Sequence, residues 1–205
     1  MDEKPERRAR CAFKKINFLA NPDSIKPGIA RFCRFGYTVF KYSNQGFTMS
    51  TLENFPIAEL SVGLSKTYSK TLTEKDIILF AACSGDVNPV HLDKAYAAST
   101  AFGEPIAHGM WTGALVSAAI ATQLPGPGSV YRSQNLSFKH PVKVGDTVTV
   151  TLTIAEIKER VKLITLDCEA HNQDGKLIAK GVAEVIAPSE KQIIAMPVLA
   201  EIVVG

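Results

Sequence analysis

From residue 49 onward the chain has two hydrophobic periods, and the change between them falls at Leu124-Pro125-Gly126-Pro127-Gly128. Ahead of that break, Lys66 to Leu72 reads as a strand. Thr73 with Asp76 three positions later has the form of a capping box, and Glu74 and Asp76 suit the positive end of a helix. Ile77, Ile78, Phe80 and Ala81 then supply a buried face, and Gly85 a stop. Cys83, on the same helix, is expected in the core, since nothing nearby marks it as an activated nucleophile. A second short helix starts at Asp93 and covers Lys94 to Ser99. Pro105 interrupts the chain before the uncharged run His108 to Gln123, a helix apolar all round and therefore expected to be buried on most sides.

Beyond Gly128 the period becomes two. Ser129 to Phe138 is a strand, Gly145-Asp146 a turn, and Thr147 to Ile157 a long alternating strand. Lys162 to His171 and Leu177 to Ile186 form a hairpin through Asn172-Gln173-Asp174-Gly175. One buried helix followed by several antiparallel strands predicts an α+β domain whose sheet wraps around that helix.

Residues 1–48 read differently. They carry ten Lys/Arg against four Asp/Glu and eight of the fifteen Phe and Tyr, with neither alternation nor helical spacing. They lack the long apolar segment of a secretory signal, and Asp2, Glu3 and Glu6 argue against a mitochondrial presequence. Gln45-Gly46 is encodable by a purine-rich AAGGA at a suitable distance from Met49. The expectation is an N-terminal extension over 1–48, untranslated or disordered, ahead of a domain spanning 49–205. An intact amino-terminus at Met1, found by mass spectrometry of native protein, would defeat the untranslated reading.

The remaining composition narrows the function. Apolar content of 46% and charged content of 21% belong to a globular chain. No uncharged apolar run reaches the roughly 18 residues of a membrane span. Residues 49–205 hold thirteen Lys/Arg against sixteen Asp/Glu, which gives no sign of nucleic-acid binding. Cys11, Cys33, Cys83 and Cys168 are scattered, as reduced thiols of a cytoplasmic protein would be. The four histidines lack metal-site spacing, so no metal is expected.

The chemistry concentrates in Asp86-Val87-Asn88-Pro89-Val90-His91, followed by His108-Gly109-Met110. A carboxylate and an imidazole share a short proline-stiffened loop, and a helix start with unpaired N–H groups follows. An acid/base pair beside an anion-stabilising helix end is what proton transfer next to a carbonyl requires. Read without a motif, Asp86 is better explained as a turn cap and His91 as a hydrogen-bonded loop residue. Asn88 shapes the loop. His108 caps or braces the helix start and is left out of the chemistry. Gly113 serves close packing of helix against sheet, and His140 and His171 are ordinary.

Phe80-Ala81-Ala82-Cys83-Ser84-Gly85-Asp86-Val87-Asn88-Pro89-Val90-His91-Leu92-Asp93, with Ile106-Ala107-His108-Gly109-Met110 beyond it, resembles the hydratase-2 motif of MaoC-like proteins, the group of (R)-specific enoyl-CoA hydratases linked to polyhydroxyalkanoate formation. The likeness extends over about residues 52–190. It implies a hot-dog fold, usually homodimeric, and reversible hydration of a trans-2-enoyl-CoA to the (R)-3-hydroxyacyl-CoA. Asp86 and His91 would hold the water between them, with the division of acid and base left open. Gly109 would offer its N–H to the thioester oxygen. Ser117, about two turns further on, matches a family serine that orients substrate or the pair; alone, a serine in a buried helix often just bonds a carbonyl one turn earlier. No metal or redox cofactor is implied, since coenzyme A is part of the substrate, and neither nucleic acid nor membrane is a partner. The competing readings are a hot-dog acyl-CoA thioesterase, an acyl-carrier-protein dehydratase, and a non-catalytic acyl-CoA-binding protein.

Overall fold

The computed structural model describes residues 50–203, and the expectation for residues 1–48 lies outside them. Elements run in the order β1 (Thr51–Glu53), β2 (Ser65–Thr71), α1 (Glu74–Ser84), α2 (Pro89–Leu92), α3 (Lys94–Ala98), α4 (Gly109–Thr122), β3 (Val130–Phe138), β4 (Thr147–Lys158), β5 (Leu163–His171), β6 (Leu177–Ile186) and β7 (Ile193–Ala195). Five strands form one antiparallel sheet in the order β2-β4-β5-β6-β3. The α+β architecture is therefore as expected, with α4 against the sheet. No helix among the described residues is long and apolar enough to cross a membrane.

Period-two patterning places Val148, Val150, Leu152 and Ile154 of β4 on one face, beside Ile164, Leu166, Cys168 and Ala170 of β5. Trp111, Leu115, Val116, Ala119 and Ile120 of α4 close over that face to make the core. Each large aliphatic side chain so buried contributes roughly 1.5–3 kcal/mol. Strands β3 and β6 approach closely at Gly181, where a Cβ would collide with the Asn135 carbonyl oxygen. No side chain fits there.

The helix is less enclosed than its composition predicts. Met110 is 60% exposed, and Ala114, Ser117 and Ala121 are exposed with it. These positions recur at helical spacing, so one uncharged stripe of α4 lies open. The reason is geometric: a single five-stranded sheet covers one side of a helix, not its circumference.

Two further expectations for α1 are corrected. Ile77 and Ala81 are buried, but Ile78 is 43% exposed, and Cys83 is exposed rather than core. Near its end α1 turns only Ala81 inward, which leaves Cys83 facing out with its thiol directed at the Phe80 carbonyl. The sequence reading also lacked α2 and the small β1–β7 pair. That pair is braced by fully buried Asn54, which donates to Pro127 and Glu190 carbonyls and accepts from the Gln192 N–H.

Candidate active site

Helix α1 delivers the chain to the site. Thr73 caps it in a reciprocal box: its side chain accepts from the Asp76 N–H while the Asp76 carboxylate accepts from the Thr73 N–H. Gly85, at φ +77°, ends it in the left-handed region, where other residues are strained. The loop then folds by side chains bonding to nearby backbone. Asp86 accepts from the Asn88 N–H at 3.2 Å, and Asn88 accepts from the Val90 N–H at 3.2 Å. Pro89 begins the single turn of α2, which carries His91. Asp93 caps α3 by accepting from Ala95 and Tyr96. The Asn88 side chain thus bonds within its own loop.

The chain returns at residues 105–108. Ala107 donates to the Val142 carbonyl at 2.8 Å, and Ile106 forms an isolated bridge with Lys143. The Ile106 carbonyl in turn lies 2.8 Å from Nδ1 of His91. A carbonyl oxygen only accepts, so Nδ1 carries the hydrogen. In the neutral ring Nε2 is then a bare lone pair.

Ligand-competent atoms of Asp86, His91 and His108 all lie within 4.8 Å of one another. Two hydrogen bonds of about 2.8 Å at a tetrahedral water angle separate their partners by about 4.6 Å, so this spacing admits one bridging water. The two histidine rings stack, centroids 3.9 Å apart and 31° between planes. Among the described residues these three side chains are the one group placed to hold a metal ion. One nitrogen of each ring is already engaged by a carbonyl.

His91 borders two cavities. One, of about 420 Å³, is floored by Ile77, Ile78, Leu92, Pro105 and Val144 and rimmed by the Glu74–Lys94 ion pair. The other, of about 340 Å³, is lined by Gly109, Thr112, Phe138, Lys139 and Val142 among others. Gly109 is the first residue of α4, so its N–H has no acceptor inside the helix. It makes no other hydrogen bond among the described residues. Gly109 lines the second cavity at the positive end of the helix dipole.

The structure brings Asp86 and His91 together, and His91 and Gly109 line one cavity. Ser117 is not brought to them: it sits on the open stripe of α4 and lines neither cavity. Gly113 leaves room chiefly for Met110, whose methyl would be 3.0 Å from a Cβ there, and then for Leu136 of β3. His140 lies at the rim of the second cavity with Nδ1 bonded to the Leu177 carbonyl. Sequence reasoning missed the Ile106 carbonyl and the close engagement of His108. A main-chain acceptor leaves no trace in residue identity, whereas a histidine at a helix start was a visible signal.

Known proteins resemble this chain in sequence and in fold. The family described as "MaoC like domain" matches residues 61–173. The chain is 41% identical to an (R)-specific enoyl-CoA hydratase of Rhodospirillum rubrum over 131 residues, covering 64% of this chain and 90% of that one. It is 44% identical to the (R)-specific enoyl-CoA hydratase of Aeromonas caviae over 129 residues, covering 63% and 96%. Among solved structures, the unliganded R-hydratase PhaJ1 of Pseudomonas aeruginosa is similar with a TM-score of 0.74 and 49% identity, covering 76% of this chain and all of that one.

Proposed function

Because the chain belongs to the family of MaoC-like domains, we propose that it catalyses the reversible hydration of a trans-2-enoyl-CoA to the (R)-3-hydroxyacyl-CoA. The observation that carries this reading is the convergence of Asp86 and His91, within water-bridging distance, beside the cavity that Gly109 lines.

An enoyl thioester is electrophilic at its β-carbon. Water held by Asp86 and His91 adds its oxygen there, and the double-bond electrons move onto the thioester oxygen. The pair takes one proton from the water and delivers one to the α-carbon, so it ends as it began. The acid and base roles belong to the pair. Acid/base assistance of this kind contributes about 10²–10⁴-fold. The Gly109 N–H holds the developing oxyanion; one aimed donor contributes about 3–4 kcal/mol. The chemistry uses neither metal nor redox cofactor, and coenzyme A enters as part of the substrate.

The reading includes a homodimer. The uncharged stripe of α4 and the edge strand β3, with Val130 55% and Phe138 47% exposed, support a second copy as the cover. A cytoplasmic enzyme that passes β-oxidation intermediates to polyester synthesis is the setting that the family likeness suggests.

The test is to mix purified protein with crotonyl-CoA and follow enoyl-thioester absorbance, thiol release and product configuration. Loss of absorbance with the (R)-alcohol formed and no free thiol is expected. Thiol release would establish a thioesterase, and activity confined to acyl-carrier-protein thioesters would establish a carrier-dependent dehydratase. Binding without turnover would leave only an acyl-CoA-binding protein.

A further inference from the structure

His108 is 2% exposed, yet one of its ring nitrogens has no partner: Nδ1 is buried without a hydrogen bond. A buried unsatisfied polar atom is destabilising, and an aliphatic side chain would fill the same space without that penalty. What the ring does have is a bond from Nε2 to the main-chain carbonyl of Asp86, 2.9 Å away and 22 residues earlier in the chain. The other hydrogen bonds of Asp86 are local. Its N–H donates to Ser84 Oγ, and its carboxylate accepts from the Asn88 N–H. Among the described residues, the His108 bond is thus the one tie between Asp86 and a distant part of the fold.

His108 also stands where helices favour Ser, Thr, Asp or Asn, whose side chains occupy the first N–H groups. It is the N-cap of α4 but makes no side-chain cap bond. The ring is turned to Asp86 instead, and Gly109, the next residue, keeps its N–H free. The same ring stacks on His91 at 3.9 Å and meets Phe80 at 5.0 Å.

We propose that His108 is the positioning residue of the reaction centre: through Nε2–H it clamps the Asp86 backbone to the start of α4, and so sets the carboxylate relative to His91 and the Gly109 N–H. Its role is exerted through Asp86 and not on a reacting atom. The inference rests on the hydratase reading for its kinetic consequence, while the clamp itself is independent of it.

The experiment compares wild type with His108→Leu, which fills space without a donor, and His108→Gln, whose amide nitrogen restores one near the Nε2 position. With crotonyl-CoA, His108→Leu is expected to lower kcat roughly 10–100-fold, the scale of a misplacement of about 1 Å, with KM little changed. His108→Gln is expected to recover most of the loss, and in an Asp86→Asn background the leucine variant should cost nothing further. Hydrogen exchange over residues 85–92 should be faster in His108→Leu and near wild type in His108→Gln. Unchanged kcat, an equal loss in the Asp86→Asn background, a folded glutamine variant without recovery, or unaltered loop exchange would each overturn the proposal. Failure of both variants to fold would also overturn it, by making His108 a packing residue. A wild-type protein that does not hydrate crotonyl-CoA counts against the hydratase reading alone, because the exchange comparison still reads the clamp.

Discussion

Nδ1 of His91 lies 2.8 Å from the main-chain carbonyl oxygen of Ile106, which fixes both the ring's orientation and its tautomer. The bond arises because residues 106 and 107 are stitched to the segment around Val142 and Lys143. The loop histidine is thereby referenced to the sheet domain. Its Nε2 is left as the nitrogen available to water.

Removing either member of the pair should therefore abolish chemistry without unfolding the protein. Asp86 is exposed and His91 half-buried, so neither supports the core. Asp86→Asn and His91→Ala are each expected to lower the hydration rate about 10²–10⁴-fold, with a thermal midpoint close to wild type by calorimetry. Undiminished turnover of crotonyl-CoA in both variants would exclude the mechanism.

At Gly109 the nearest neighbours of a Cβ would be atoms of the Phe138 ring, at 3.5 Å, which is ordinary contact. Gly109→Ala should fold normally and place its methyl group beside the free N–H. The expected result is a fall in kcat/KM for crotonyl-CoA with an unchanged urea midpoint. A variant as active as wild type would remove the glycine N–H from the oxyanion role.

The open stripe of α4 makes a separate prediction. Ala114 is exposed in the single chain and carries no polar group. Ala114→Glu places a charge on the proposed dimer face, so sedimentation should show a dimer for wild type and a shift to monomer for the variant. Monomeric wild type at micromolar concentration would contradict the homodimer.

Acid should act on α1 through its cap. Burial works against ionisation of Asp76, but hydrogen bonds from Thr73 and the Lys70 ammonium outweigh it and hold the carboxyl below its ordinary 3.8. A carboxyl lowered by folding stabilises above its unfolded pKa and loses that contribution as pH falls through the folded one. The stability gap between wild type and Asp76→Asn should be constant at neutral pH and close below about pH 4. Denaturant titrations across that range would show it, and a gap independent of pH would refute it.

The corrected position of Cys83 has a chemical consequence. Cys83 is exposed, whereas Cys168 is buried and its thiol is pushed up to about 11 by that burial. Iodoacetamide at pH 8 should alkylate Cys83 in the folded protein and reach Cys168 only after unfolding. Peptide mass spectrometry distinguishes the two, and equal labelling in the native state would contradict the packing described.

Much of the fold was legible because its signals are local. The Thr73–Asp76 box, the Gly85 stop, the Asp93 cap and the Asn172–Gly175 turn each depend on residues within a few positions of one another. The period-two strands announce which face is buried, since side chains alternate whatever the partner. The motif around Asp86 and His91 stands out for the same reason, as both sit on one short loop.

The amino-acid sequence by itself determined most of the elements and the α+β class, because these follow from hydrophobic period and from short-range bonds between side chain and backbone, while the candidate pair Asp86 and His91 came from the resemblance of their motif to MaoC-like proteins. Only the tertiary structure decided that Ile106 orients His91, that His108 holds the Asp86 carbonyl, that Ser117 and Cys83 face outward, and that one stripe of α4 lies open. Those outcomes depend on which backbone carbonyls and which helix faces meet after the chain has folded back on itself. Main-chain atoms are alike at every position, so such meetings are written in geometry and not in residue type.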